Sequence, residues 1–162
     1  MTLVLPGWYD PSRACPDVES DVLYALFQPL LSSTNVVSWI PKPDTYNTQI
    51  TAGRSYLRTY RTGGAWNDKE GRDEPRVQFA ALTGSRDDSW RLIGFVRDVL
   101  RCFILQTGIV NGFKLSGEGE VAGPQLIPEL LQDDRLVPIT VQLYTWPKQM
   151  LDYRAHLGLN DL

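Results

Sequence analysis

The residues of this chain best suited to chemistry are one histidine and two cysteines. His156 stands alone in "YRAHLGL", with no second histidine or cysteine at a spacing that would complete a metal site, so we expect it at the surface. Cys102 lies in the apolar run "LRCFIL", which predicts a small buried core residue. Cys15 precedes a helix, where a thiolate is conceivable, but no base accompanies it. None of the three indicates a catalytic group.

Two other patterns have the residue types of a ligand site. Residues 117–123, "GEGEVAG", match the glycine spacing of a dinucleotide-binding turn, but Glu118 and Glu120 would repel a pyrophosphate, so a bulged strand is predicted. Asp87 and Asp88 could bind a metal ion, although acids in the first turn of a helix already have a capping role. No serine stands in a G-x-S-x-G or S-x-x-K motif. The sequence therefore predicts a protein that is not an enzyme and holds no cofactor or metal.

The composition is that of an ordinary globular protein. The chain has 162 residues, of which 43% are hydrophobic and 22% charged, enough to form a core without disulfide bonds. A net charge of -3 gives no basic surplus for non-specific nucleic-acid binding. Pro6 and Gly7 interrupt the apolar opening "MTLVLPGWYD" before a signal-peptide core is complete, and no other run is long enough to cross a bilayer. We therefore expect neither secretion nor membrane insertion.

Hydrophobic periodicity predicts helices and strands in mixed order. The strongest signal is "GSRDDSWRLIGFVRDVLRCFILQTG", where Ser85 is a candidate N-cap and Gly108 lies beyond the end. Its apolar stripe predicts a helix packed on a sheet, and the stripe comprises Trp90, Ile93, Val96, Leu100 and Phe103. The other predicted elements are a helix over residues 16–31, a strand over 36–40 followed by a loop to 53, strands over 55–61 and 75–83, a glycine-interrupted strand in 113–128, a strand over 135–146 and a short helix after 147.

This order of elements predicts the fold class. Short connections and neighbouring strands favour an α+β domain, with an antiparallel or mixed sheet and helices packed on one face. A doubly wound parallel sheet would need regular alternation of strands and helices, which is missing. We expect a single domain over residues 1–162, with an N-terminal arm (1–16) and a C-terminal extension (147–162).

A long insert, residues 62–74, separates the two predicted strands 55–61 and 75–83. It is glycine-punctuated and charged, and it is too long for a tight hairpin turn, so we predict a loop. Trp66 is its apolar residue, and the residues after it carry both signs of charge. Loops of this length in compact domains are uncommon unless they are functional or disordered. A binding loop and a mobile solvated loop are therefore the two interpretations.

Arginine and tyrosine alternate along the first of these strands, "RSYLRTYR". Arg58 and Arg61 flank Tyr60, a pattern that could stack the bases of a single-stranded nucleic acid. The other interpretation is a half-buried strand whose arginines are solvated or paired with the acidic insert. We favour the second, because the whole chain is acidic.

Three stretches, taken in order, carry a family resemblance. The first is the helix "DVESDVLYALFQPLL". The second is "LRTYRTGGAWNDKEGRDEPRVQFAALTGSRDDSWRLIGFVRDVL", where an R-x-G-G-like turn and a charged loop lead to a strand and a helix marked by aspartate and tryptophan. The third is "GEVAGPQLIPE" with the strand "RLVPITVQLYTWP". Over residues 17–147 the chain thereby resembles the tail-terminator proteins of long-tailed, non-contractile bacteriophages, especially those of actinobacterial phages.

The resemblance implies a structural function in the virion. It implies an α/β sandwich assembled as a homohexameric ring that caps the finished tail tube, stops polymerisation of the major tail tube protein and joins the head connector. Phage DNA would pass through the ring without specific binding, which a mildly acidic chain suits. The protein would be assembled in the host cytoplasm and lie at the head–tail junction, with no cofactor.

Under this resemblance, the insert becomes a predicted docking loop toward a neighbouring subunit or the tube. Its residues are Gly63, Gly64, Trp66, Asn67, Asp68, Lys69, Glu70, Arg72 and Asp73. A closely related alternative is a head-completion or other neck protein, whose small subunits also form rings. Two alternatives from other classes are a monomeric single-stranded nucleic-acid-binding module that uses the arginine–tyrosine strand, and a small enzyme with a carboxylate-based site.

Overall fold

Six strands form one sheet in the part of the chain that the structure describes. This structure is a computed structural model that describes residues 3–124, 134–150 and 152–159. The strands are β1 (Thr34–Val37), β2 (Ser55–Asn67), β3 (Arg72–Leu82), β4 (Gly108–Val110), β5 (Phe113–Ala122) and β6 (Val137–Trp146). Their spatial order is β1-β2-β3-β6-β5-β4. Only β1 and β2 pair in parallel, and the other neighbours are antiparallel. The predicted mixed sheet of an α+β fold is confirmed.

Three helices and two single turns accompany the sheet. Helix α1 consists of three consecutive pieces of different geometry, and all the bounds are α1 (Val18–Tyr24, Ala25–Phe27 and Gln28–Leu30), α2 (Pro43–Thr51), α3 (Arg86–Leu105) and the turns Pro11–Arg13 and Arg154–Leu157. The predicted cap of α3 is confirmed, because the Ser85 hydroxyl accepts a hydrogen bond from the Asp88 N–H at 3.1 Å. Asp17 caps α1 in the same way, through the Glu19 N–H at 3.0 Å.

The main core lies between α1, α3 and one face of the sheet. The rings of Phe27 and Phe79 meet edge to face, with centroids 5.9 Å apart. The strand predicted over residues 135–146 is confirmed as β6, in which every second side chain from Val137 to Leu143 is buried. The buried side chains of this core include Val18, Val22, Leu23, Phe27, Leu57, Val77, Phe79, Ile93, Val96, Leu100, Leu115, Ile139, Val141 and Leu143.

Helix α2 packs on the opposite face of the sheet and was missed by the sequence prediction, which made this region a loop. Its buried Tyr46 joins a small cluster with Tyr56 and Leu82. Tyr56 and Leu57 are neighbours on a strand and therefore point to opposite faces. The helix starts at Pro43, a residue favoured at the first helical position, but its threonines and asparagine are weak helix formers. The tertiary cluster stabilises a helix that local propensity does not favour.

Three smaller predictions are also corrected. Cys102 is exposed, not buried, because it lies on the side of α3 opposite Ile93 and Leu100 despite its apolar neighbours in sequence. Trp90 stands at the margin of the apolar stripe and is 42% exposed. The short helix predicted after residue 147 is reduced to the single turn Arg154–Leu157, and Leu151 of that prediction lies outside the described residues.

Candidate docking surface on the β2–β3 hairpin

The predicted loop 62–74 is wrong as a description of the backbone. β2 and β3 pair along their whole length, from Tyr56 opposite Leu82 to Asn67 opposite Arg72, and only residues 68–71 form the turn. The insert is therefore the far half of a long β-hairpin. β6 pairs with this half as well, through Asp73 and Thr145, so the hairpin is part of the sheet rather than a free projection.

Two adjacent glycines of the hairpin, Gly63 and Gly64, lie at a β-bulge. The register shifts between Arg61 and Gly63, leaving Thr62 as the extra residue. Because side chains alternate across a strand, the extra residue moves Trp66 to the side of the sheet that α1 and α3 cover. There it is the cross-strand neighbour of Asp73. Gly64 has a φ of 97°, and a Cβ there would lie 2.0 Å from the Glu74 carbonyl oxygen. The bulge thus requires glycine at position 64.

An ion pair fixes the bulge from the core side. The guanidinium of Arg61 donates to both carboxylate oxygens of Asp73, at 2.6 and 2.9 Å, and the Asp73 side chain is only 8% exposed. The same guanidinium donates to the carbonyl oxygens of Gly63 and Gly64 at 3.2 and 3.4 Å. Glu19 of α1 accepts from the Arg61 backbone N–H at 2.6 Å. Asp73, predicted as a docking residue, therefore serves the fold.

The turn at the tip is closed by a side chain. Asn67 Oδ1 accepts from the backbone N–H groups of Lys69 and Glu70, at 3.1 and 3.2 Å, as asparagine commonly does in turns. Gly71 follows with a φ of 57°, which suits glycine. The side chains of Asp68, Lys69 and Glu70 are exposed. Together with Trp66 and Gly64, they are the predicted docking residues that the structure leaves exposed.

Arg72 is held flat against the outer face of the sheet. Its guanidinium lies 3.8 Å from the centroid of the Tyr144 ring and 5.5 Å from that of Trp146. It also pairs with Glu74 at 2.9 Å. Hydrogen bonds from Asn67 and then from Arg72 hold the pKa of Glu74 below its ordinary value, so this carboxylate stays charged. This edge of the surface is preorganised.

The exposed tip lines an open concavity of about 720 Å³. Residues 64–69 form one side of it, and Glu74, Arg76 and Gln142 form the other. Gln142 Nε2 donates to the Glu74 and Pro75 carbonyls at 2.8 and 3.2 Å, at the place where proline interrupts the ladder. Sequence reasoning missed these three residues; the alternation of β6 indicated that Gln142 faces outward, but nothing local placed it beside the hairpin.

On the helix-facing side, the N-terminal arm and the C-terminal extension meet beside Trp66. The Trp8 ring stacks on His156 with centroids 5.1 Å apart and contacts Tyr153 at 5.2 Å. His156 is exposed, as predicted. Cys15 lies half-buried in the same region, where burial, and then the charge of Asp73, raise the pKa of its thiol. These effects disfavour the thiolate that the sequence left open.

The arginine–tyrosine strand is half-buried with engaged arginines, which confirms the interpretation favoured from sequence. Tyr56 is 3% exposed, and Arg61 pairs with Asp73 of the insert. Arg58 donates to Gln78, and burial lowers the pKa of its guanidinium. Tyr60 is 41% exposed, but the Arg58 guanidinium lies 5.8 Å from its ring centroid and the Trp39 ring meets it edge to face.

The described residues contain neither a metal-binding cluster nor a membrane-spanning helix. Within residues 3–124, 134–150 and 152–159, no group of three histidine, cysteine or acidic side chains could hold a metal ion. None of the helices in that part of the chain has the length and apolar character needed to cross a bilayer.

A mixed sheet backed by helices is found in proteins of many functions, so the family comparison decides between them. The sequence profile of a family described as phage tail termination protein matches residues 14–152, and the chain belongs to this family. It is thus a phage tail terminator and a structural component of the virion tail. A search of curated proteins finds no match. The family match extends past both ends of the resemblance seen in the sequence.

Proposed function

We propose that this chain forms a homohexameric ring on the end of the tail tube, where it ends tube polymerisation and provides the joint to the head connector. The family match over residues 14–152 carries this proposal. Such a ring needs surfaces toward its own copies, the tube and the connector, and it needs no catalytic group. The ring would lie at the head–tail junction after assembly in the host cytoplasm.

The concavity at the hairpin tip is the proposed docking surface for one of these neighbours. Trp66 is 39% exposed and offers a rigid apolar side chain, and tryptophan is enriched among residues that dominate binding energy. Asp68 and Lys69 supply a charged rim, as is typical of protein interfaces. Because the turn is closed by Asn67, these side chains stand on a fixed backbone, which reduces the entropy lost on binding.

The acidic balance of the chain supports passage of DNA through the ring. A net charge of -3 lacks the excess of lysine and arginine that neutralises phosphates in non-specific complexes. Several arginines are also engaged within the fold, Arg61 with Asp73 and Arg72 with Glu74. The ring would therefore not retain DNA that slides through it.

Replacing Trp66 tests the docking surface. Tails assembled without this chain would be supplied with purified protein and with heads, and infectious particles counted. We expect Trp66→Ala to lower the yield about tenfold or more, because loss of one central aromatic anchor removes a large part of the binding energy. Trp39→Ala is the matched control, since Trp39 is 72% exposed and contacts Tyr60 rather than the tip of the hairpin.

The stability of each variant separates docking from folding. Trp66 also borders the N-terminal arm, so thermal unfolding of Trp66→Ala must be measured beside the yield. Lys69→Glu changes only an exposed turn and should lower the yield with no change in unfolding temperature. Equal yields for the Trp66, Lys69 and Trp39 variants would show that this surface does not dock.

A further inference from the structure

The outer edge of β2 beyond its bulge has no pairing strand among the described residues. β1 covers β2 only along residues 55–58, and Glu19 takes the backbone N–H of Arg61. Beyond the bulge, residues 63–66 are glycine, glycine, alanine and tryptophan, with no charge and no proline. No strand of the described chain pairs with their outer side. Proteins usually protect such an edge, because its free N–H and C=O groups pair with other strands.

The other edges of the sheet are protected in recognisable ways. The Gln28 carboxamide covers β1, since it donates to the Thr34 carbonyl at 3.1 Å and accepts from the Val36 N–H at 3.0 Å. β4 is only three residues long. The part of β5 that β4 leaves open has two register shifts and carries Glu118 and Glu120. On β2 the bulge and the Arg61 contacts protect the edge only as far as Gly64, and the outer side of residues 65–67 carries no charge, proline or register shift.

The N-terminal arm begins with an exposed apolar segment that pairs with no strand of the described chain. Leu3, Val4 and Leu5 are 81%, 87% and 46% exposed, and residues 3–6 belong to no helix or strand. Three consecutive large apolar side chains in water favour association. The arm is fixed just after this segment, where the Trp8 ring contacts Tyr153 and His156. Residues 3–5 are therefore an uncharged, exposed segment that is available for pairing, and Trp8 holds the chain in place just after it.

We propose that residues 3–5 of one copy add as a strand to the open edge of β2 in a second copy. The carbonyls of Gly63 and Gly64 already accept hydrogen bonds from Arg61. The incoming backbone would therefore pair with residues 65–67. Main-chain hydrogen bonds would hold the added strand, and its alternate apolar side chains would pack beside Ala65 and Trp66.

A second copy is the partner because one chain carries both the donor segment and the acceptor edge. Each copy would donate once and accept once, which is a head-to-tail contact, and head-to-tail contacts close into rings when the rotation permits. The inference rests on the proposed ring and identifies the contact between its subunits. It leaves the surfaces toward tube and connector to other residues.

Disulfide trapping in assembled tails tests this contact. In a background with Cys15→Ser and Cys102→Ser, the phage gene would carry Val4→Cys together with Ala65→Cys. Both positions are exposed, so neither substitution should alter folding. Mild oxidation of purified tails should then give a ladder of covalently linked copies on non-reducing gels, at least about fivefold more intense than in either single variant.

A control pair tests whether the arm adds to the open part of β5 instead of β2, and the gel also shows whether the disulfide forms within one chain. Val4→Cys with Val121→Cys, on the open part of β5, should give no ladder, although Val121 is 53% exposed. Three results would overturn the inference: a ladder from this control pair instead, a disulfide between positions 4 and 65 of the same chain, or no cross-link at all. Any of these results in tails of normal length would leave the proposed function standing, whereas failure of that function would appear as normal tails in the complete absence of the chain.

Discussion

Gly64→Ala is expected to lower the free energy of unfolding by about 3 kcal/mol, which is the largest single-site effect that we expect in the hairpin. Two causes act together. Position 64 has a φ of 97°, where a side chain is strained. The new Cβ would also lie 2.0 Å from the Glu74 carbonyl oxygen and 2.7 Å from the Pro75 Cα, and backbone atoms cannot move aside as a flexible side chain does. Urea denaturation of the purified protein measures the change.

Gly63→Ala is the matched control for this prediction. The two glycines are adjacent, but nothing lies within 4 Å of a Cβ at Gly63, and its backbone is outside the left-handed region. We expect this variant to change the free energy of unfolding by less than about 0.5 kcal/mol. Equal losses in the two variants would mean that the bulge does not have the geometry described.

The second large effect is expected from Asp73→Asn. The Asp73 carboxylate is nearly buried and accepts both hydrogen bonds of a bidentate pair from Arg61. The amide removes the charge and one acceptor while keeping the shape. Because Arg61 is 36% exposed and keeps its contacts to two carbonyls, the loss should stay below that of a fully buried pair. We expect about 2 kcal/mol of destabilisation by urea denaturation.

Asp152→Asn provides the comparison, because Asp152 also pairs with an arginine but in water. The hydrogen bonds of Arg154 lower the pKa of Asp152 to about 2, yet the two side chains are 58% and 71% exposed. Exposed ion pairs contribute little to stability, and we expect no measurable change in the free energy of unfolding here. A larger effect at Asp152 than at Asp73 would contradict the role given to the buried pair.

The elements that the sequence predicted well are those whose signals are local. Helix α3 has a capping serine and an apolar stripe, and β6 alternates without interruption. The hairpin was not predicted, because the contacts that stabilise it join residues that are distant in sequence. Some of the charges that suggested a solvated loop are engaged by the sheet, because Asp73 pairs with Arg61 across the hairpin and Arg72 lies on the Tyr144 ring. No periodicity within residues 62–74 contains that information.

The same limit applies to the candidate site. Trp66 and the charged turn were identified from sequence because an apolar residue beside a charged run is visible locally. Gly64 and Asp73 were grouped with them, although the structure uses both to build the bulge. Glu74, Arg76 and Gln142 complete the concavity only through the pairing of β3 with β6. Which residues of a hairpin face a common surface depends on register, and a single bulge changes it.

The hairpin also changes how the proposed docking should be tested. Replacing residues 66–73 with a flexible linker would remove the Asp73 ion pair and part of both strands, so a loss of function would report unfolding. Replacing only residues 68–70, whose side chains are exposed, leaves the paired strands intact. The docking residues are therefore best altered one side chain at a time.

Tail length after deletion of the gene shows whether this chain ends polymerisation of the tail tube. Electron micrographs of tails from cells infected with the deletion phage would be compared with tails from cells that supply the chain from a plasmid. Without the chain we expect tails longer than normal, with a broad spread of lengths and few attached heads, and we expect the plasmid to restore normal tails. Tails of normal length joined to heads would contradict this expectation, and tails of normal length beside unjoined heads would favour a head-completion protein instead.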